Sequence, residues 1–319
     1  MKPNVVIVHE LYPELLKTLE QHYNVVHFTR LNSDADRADF NAAMAEADAF
    51  LGSNVKFDEA LIERSPRLKV IASVSVGVDA YPREALKARG IVLTNTPEVL
   101  TDATADTGFV LLMMAARRAG EMERKVRSGN WSTSLMSQDF GVDVTGKTLG
   151  IVGMGRIGQA VAKRGHFGFD MPVIFQNRSS KPEVEAALDA RQVDLDTLFE
   201  TADFIVVTAA LSDETRGMIG RAQLERTREK TILINISRGP VVREQELIEC
   251  LQEGVLYYAG LDVYEREPLD PSSPLMGLDN VVLLPHIGSS TVETRGAMCD
   301  LAADNLNRVL AGTSPLTPA

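Results

Sequence analysis

The chain has 319 residues, 45% hydrophobic and 24% charged, with 44 acidic against 33 basic side chains and a formal net charge of −11 at neutral pH. This length favours two domains over one, and the acidic balance argues against nucleic acid or an anionic membrane as partner, since neither is attracted to negative charge. Two cysteines, Cys250 and Cys299, lie far apart in helical patterns and the five histidines are scattered, which speaks against a disulfide framework or a zinc site and fits a reduced, cytoplasmic setting.

Met1-Lys2-Pro3-Asn4 leads straight into an apolar run at 5–8, with no long apolar segment of the kind a secretory signal carries. From there strand-like and helix-like runs alternate. Strands are expected at 5–8, 24–28, 49–51, 70–73 and 92–95, with helices at 13–21, 40–45, 58–63 and 82–89. Such alternation is the pattern of a parallel sheet with crossover helices. A helix over 101–118 follows, apolar on nearly every face through Phe109-Val110-Leu111-Leu112-Met113-Met114, so it must be buried in a core or against a second subunit. Its apolar stretch is far shorter than the roughly 20 residues a membrane span requires.

After a loop at 128–144 a second series begins, with strands expected at 148–152, 173–175, 204–208, 232–236, 258–261 and 281–284. The first of these runs into Gly153-Met154-Gly155-Arg156-Ile157-Gly158, a G-x-G-x-x-G between a strand and a helix, which is the context the dinucleotide-binding fingerprint needs. Gly153 allows the turn, Gly155 lets the backbone approach a pyrophosphate, and Gly158 lets the helix lie close to the sheet. Arg156 and Ile157 open the helix whose free N–H groups and dipole face the phosphates.

NAD-preferring sites end the next strand with an acid that binds the ribose hydroxyls. Here Asn177, Arg178 and Ser179 follow the strand, with no carboxylate. Arg178 offers a charged partner to a 2′-phosphate and Ser179 a hydrogen bond, so NADPH is expected over NADH; a solvated turn is the other reading. A last helix is expected from Ser290, with Glu293 completing a capping box, crossing back to the first domain. The fold class is therefore α/β, with two Rossmann-like domains built on parallel sheets: 1–99 with 288–319, and 100–287.

His286 follows the last strand and so stands where α/β sites form. Its ordinary pKa suits a general acid, although a lone histidine is more often a hydrogen-bonded structural residue. Arg238 follows the 232–236 strand. A guanidinium can hold a carboxylate through paired hydrogen bonds or stabilise an oxyanion, but one arginine among many is ordinarily a surface residue.

Over essentially its whole length the chain resembles the D-isomer-specific 2-hydroxyacid dehydrogenase family, and within it the glyoxylate/hydroxypyruvate and 2-ketogluconate reductases. The resemblance rests on Ser75-Val76-Gly77-Val78-Asp79, Asn95-Thr96-Pro97, the fingerprint, Asn235-Ile236-Ser237-Arg238-Gly239, Gly260-Leu261-Asp262-Val263-Tyr264 with Glu267-Pro268, and Pro285-His286-Ile287-Gly288-Ser289. It implies reduction of small 2-keto acids to D-2-hydroxy acids, with NADPH the cofactor expected from Arg178, an active site in an interdomain cleft, and a homodimer. It further implies His286 as proton donor, Glu267 holding its ring, Arg238 on the carboxylate or oxyanion, and the Val76 and Gly77 amides on the substrate carboxylate, with Leu51 on the pocket wall. Asp262 would receive the nicotinamide carboxamide, with Thr104, Ile236 and Gly288 lining the cofactor.

Formate dehydrogenases of the family carry glutamine at the Glu267 position and phosphite dehydrogenases lysine at the Val76 position, so both residues favour keto-acid reduction. Ala210 stands where the family often has proline. An NAD(H)-sensing corepressor-like protein and an oxidoreductase on a non-keto-acid substrate are the alternatives.

Overall fold

The computed structural model describes residues 2–53 and 55–319. They gather into two compact units, one running to Leu100 and taking in Ser290–Ala319, the other Thr101–Ser289.

In unit one, β1 (Asn4–Val8), β2 (Asn24–Phe28), β3 (Ala49–Gly52), β4 (Val70–Ser73) and β5 (Val92–Thr94) alternate with α1 (Pro13–His22), α2 (Asp34–Ala45), α3 (Glu59–Glu63) and α4 (Arg83–Ala88). All strand pairs are parallel and the order is β2-β1-β3-β4-β5. The order reverses between β1 and β3, and ligands bind at such a switch point, beyond the carboxyl ends of the strands. Helix α2 starts earlier than its apolar residues indicated: Ser33 accepts from the Asp36 N–H at 3.0 Å while the Asp36 carboxylate accepts from the Ser33 N–H at 2.9 Å. That reciprocal cap holds a first turn with no apolar signal.

Unit two opens with α5 (Thr101–Ala116) and α6 (Ala119–Arg127) and continues through β6 (Leu149–Val152), α7 (Arg156–Phe169), β7 (Val173–Gln176), α8 (Pro182–Leu188), β8 (Arg191–Gln192), α9 (Leu195–Thr201), β9 (Phe204–Val207), α10 (Arg221–Leu224), β10 (Ile232–Asn235), α11 (Glu244–Glu253), β11 (Tyr258–Leu261) and β12 (Val281–Leu283). The seven strands lie in the order β12-β11-β10-β9-β6-β7-β8, the doubly wound arrangement with its switch point between β6 and β9. Six strands were expected. The seventh, β8, is two polar residues that pair with Ile174 and Phe175, so no apolar run announces it.

Helix α5 packs on α7, β10, β11 and β12, and Ala105, Phe109, Leu111, Leu112, Ala115 and Ala116 are buried there. Most of its apolar surface is therefore used within the unit, while Val110 stays 49% exposed. The final helix, α12 (Val292–Leu310), packs on β3, β4 and β5 of unit one. Its cap is Thr291, which accepts from the Thr294 N–H at 3.1 Å, one residue later than expected and without a role for Glu293. Among the described residues no helix is long and apolar enough to cross a membrane.

Candidate active site

The first part of the site forms where β6 ends. Gly153 takes φ +96°, a conformation L side chains rarely adopt. A Cβ on Gly158 would lie 2.3 Å from the Gly153 carbonyl oxygen, so the helix reaches the turn only as glycine. A Cβ on Gly155 would meet nothing of the protein within 4 Å; the space before it is open, as a pyrophosphate requires. The first N–H groups of α7, at Arg156, Ile157 and Gly158, point out of the helix start without intrahelical acceptors. Thr208, at the end of β9, donates its hydroxyl to the Gly153 carbonyl at 2.6 Å and closes the other side of the switch point. These groups fit a dinucleotide.

At the end of β7, Asn177 accepts from the Met154 N–H at 3.1 Å and donates to the Ser179 carbonyl at 2.8 Å and the Ser179 hydroxyl at 3.1 Å. Its side chain thus ties the glycine turn to the loop carrying Arg178, instead of standing free to bind a ribose. Arg178 is exposed. Its charge reaches Glu214, whose pKa is lowered first by the Ser212 hydroxyl and also by this guanidinium, so the loops after β7 and β9 face each other here.

The second part forms where β10, β11 and β12 end. Asn235 is buried, and its side chain builds the turn after β10, accepting from the Ser237 N–H at 3.0 Å and hydroxyl at 2.9 Å and donating to the Arg238 carbonyl at 3.2 Å. Gly239 follows, where a Cβ would fall 1.8 Å from the Tyr264 carbonyl carbon. Only glycine lets the Arg238 turn lie against the Tyr264–Glu265 backbone and so beside Glu267. The half-buried Arg238 donates to the Ser237 carbonyl at 2.8 Å, and its charge acts on Glu267.

His286 Nδ1 lies 2.7 Å from Glu267 Oε2, and the other Glu267 oxygen accepts from the Tyr264 N–H at 3.1 Å. Burial pushes the Glu267 pKa up, but the His286 hydrogen bond and charge, the Tyr264 amide and Arg238 together carry it below the ordinary carboxylate value. His286 itself has φ +55°, the left-handed region. A non-glycine residue there costs on the order of 1–3 kcal/mol and persists only where its surroundings over-determine it.

Asp262 supplies that constraint. It is 1% exposed, and its two oxygens accept from the Ile287 and Gly288 N–H groups, each at 2.8 Å. Burial raises its pKa against the opposing pull of these amides and of His286. The carboxylate expected to receive a nicotinamide carboxamide therefore also fixes the loop that aims the histidine. Thr104 lies at the same point, 3.3 Å from where a Gly288 Cβ would be. Ile236 is buried against Gly108 of α5. Glu265 accepts from the Glu244 N–H at the start of α11.

In unit one, the loop carrying Val76 and Gly77 follows β4 and is fastened by Asn95, whose side chain donates to the Val76 carbonyl at 2.9 Å, and by the Thr96 N–H on Ser75. The Val76 and Gly77 N–H groups donate to no acceptor among the described residues. Leu51 was expected on the pocket wall, but its side chain is wholly buried, on the opposite sheet face from Phe50. The polar groups at that strand end are Ser53 and His9, which the sequence did not single out.

A family model described as "D-isomer specific 2-hydroxyacid dehydrogenase, NAD binding domain" matches residues 109–288. The chain is 47% identical over 313 residues to the glyoxylate/hydroxypyruvate reductase B of Serratia proteamaculans, covering 98% of this chain and 96% of that protein. Among solved structures it is similar to the TT0316 protein from Thermus thermophilus, with TM-score 0.90, 37% identity and 99% of both chains covered. It is also similar to an NADPH-dependent glyoxylate/hydroxypyruvate reductase from Sinorhizobium meliloti in complex with NADP and malonate, with TM-score 0.88, 32% identity, and 100% of this chain and 97% of that chain covered.

Proposed function

Because the chain belongs to the D-isomer-specific 2-hydroxyacid dehydrogenase family, we propose that it reduces small 2-keto acids such as glyoxylate, hydroxypyruvate and 2-ketogluconate to D-2-hydroxy acids, with NADPH as the favoured reductant. The observation that carries this reading is the His286–Glu267 pair at 2.7 Å, with Arg238 acting on the same carboxylate, on the strand edge that also bears the glycine turn.

NADPH bound at the turn supplies the hydride. His286 delivers a proton to the nascent alkoxide, and Glu267 orients the ring through its contact with Nδ1. Arg238 neutralises charge on the carboxylate and the developing oxyanion. The Val76 and Gly77 amides of unit one grip the substrate carboxylate, so unit one is the substrate domain and unit two the cofactor domain. The Sinorhizobium enzyme is in complex with malonate, a dicarboxylate, which agrees with a carboxylate-bearing ligand here. The test is loss of reduced-nicotinamide absorbance when glyoxylate or hydroxypyruvate is added to the purified protein with each cofactor; no turnover with any 2-keto acid refutes the reading.

Glu267→Gln is expected to make the protein's stability less sensitive to acid. Burial raises the Glu267 pKa, but the His286 contact, the Tyr264 amide and Arg238 together carry it below its ordinary value. The stabilisation from the depressed carboxylate is present above its unfolded pKa and is lost as pH falls through the folded one. An acid limb of thermal unfolding left unchanged in the variant contradicts this.

We further propose a homodimer. Helix α5 buries most of its apolar side chains within its own unit, so the surface left for a second copy is the exposed set Val110, Val126, Trp131, Leu135, Met136 and Phe140. They lie on α5, α6 and the loop that follows, and a contiguous exposed apolar patch marks an association surface. Sedimentation is expected to give a dimer at micromolar concentration, and Trp131→Glu with Phe140→Glu a monomer; a monomeric unmodified protein contradicts this.

A further inference from the structure

We propose that His9, Ser53 and Arg295 in unit one form a site that reads hydroxyl groups on the substrate beyond its keto carbon; the inference rests on the keto-acid reductase reading above. None of the three takes part in hydride or proton transfer, yet they meet at the β1/β3 switch point, where an open parallel sheet binds ligands.

His9 follows β1 and Ser53 follows β3, and His9 Nδ1 lies 3.1 Å from Ser53 Oγ. The ring is half-buried and steadied from behind, because His27 Nε2 donates to the His9 carbonyl at 2.9 Å. His9 Nε2 has no hydrogen-bond partner among the described residues. Arg295, in the first turn of α12, hydrogen-bonds the Ser290 hydroxyl at 3.1 Å and acts electrostatically on His9.

The chemistry of the set selects the ligand. Burial, then Arg295, lowers the His9 pKa to about 4, with Glu10 opposing and His27 adding to the decrease. The ring is therefore neutral at physiological pH and either donates or accepts, as the serine hydroxyl does. Arg295 and Glu10 act on His9 with opposite sign, so a cation and an anion both stand near the ring. A neutral group with mixed donors and acceptors, a guanidinium at its side and one ring nitrogen to spare matches hydroxyls, each of which both donates and accepts.

Position agrees. The Val74 N–H bonds the Gly52 carbonyl at 2.9 Å and the Ser53 N–H bonds the Val8 carbonyl at 3.3 Å, so the ends of β1, β3 and β4 are stitched side by side. With neighbouring strands ~4.8 Å apart, Ser53 stands about one spacing, and His9 about two, from the loop that carries the Val76 and Gly77 amides. A 2-keto acid held there by its carboxylate lays a hydroxylated tail along this row.

The experiment compares hydroxypyruvate with pyruvate, which differ only by the hydroxyl on the third carbon. Sites that hydrogen-bond a substrate hydroxyl discriminate strongly against the analogue lacking it. The ratio of kcat/KM for hydroxypyruvate over pyruvate is expected to fall at least about tenfold in His9→Phe, and in the near-isosteric Ser53→Ala, which keeps the test open should the ring substitution disturb folding. A ratio unchanged within roughly twofold in Ser53→Ala and in any His9→Phe that folds overturns the inference, as does an equal loss for both substrates, which marks a merely structural cluster. Failure of the unmodified protein to reduce any 2-keto acid instead overturns the parent reading, so the two failures are distinguishable.

Discussion

His286→Gln is expected to lower kcat with glyoxylate by at least about 10²-fold, within the roughly 10²- to 10⁴-fold range of general acid catalysis, while NADPH binding by fluorescence titration stays intact. The imidazole is the group held by Glu267 at 2.7 Å in a left-handed backbone that Asp262 secures through two amides. Glutamine keeps a polar side chain of similar reach but has no proton to give. The dinucleotide groups at the ends of β6, β7 and β9 are untouched by the change. Near-normal turnover in this variant shows that another group delivers the proton. Parallel loss of cofactor binding shows instead that the substitution collapsed the Pro285–Gly288 loop.

The second large effect concerns cofactor choice. NADPH is expected to exceed NADH in kcat/KM, and Arg178→Ala to remove most of the difference. A charge-assisted hydrogen bond contributes about 1.5–3 kcal/mol, on the order of ten- to a hundredfold. Asn177→Asp combined with Arg178→Ala is expected to invert the preference, because a carboxylate binds the ribose diol and repels the 2′-phosphate. The structure adds a consequence. Asn177 donates twice to Ser179 and accepts from Met154. Aspartate keeps the bond from Met154 and can accept from the Ser179 hydroxyl, but it faces the Ser179 carbonyl with negative charge, so the inverted enzyme is expected to be slower with NADH than the unmodified one is with NADPH. Equal kcat/KM for the two cofactors in the unmodified protein refutes the role of Arg178.

Much of the architecture is legible in the sequence. Every strand expected from the sequence begins and ends within one residue of an observed strand, because a strand buried in a parallel sheet is a short apolar run between turn residues. The exceptions are the elements that packing or capping, rather than apolar content, creates. The strand β8 is Arg191–Gln192, held only by its neighbour β7. Helix α2 begins with a polar turn closed by Ser33 and Asp36. Helix α5 looks apolar all round, yet which of its faces the unit covers depends on where α7, β10, β11 and β12 lie.

The site divides in the same way. The glycine turn, Arg178, Arg238 and His286 stand out in the sequence as candidates because each is a residue type with a distinctive chemistry placed at the end of a strand run, and Glu267 through the family motif. Those signals are local: a turn that only glycine makes, a missing acid, a histidine beyond an apolar strand. What side chains spend their hydrogen bonds on is not local. Asn177 as a tie between two loops, Asp262 as the clamp on a left-handed histidine, Gly239 as the position that lets one turn lie against another, and Leu51 as a buried residue depend on groups 23, 25 or more positions away or on the opposite face of a sheet. Strand and helix periodicity records which residues face inward, and motif spacing records which chemistry is present. The partner each polar group meets is decided only when parallel strands bring the ends of distant segments into register.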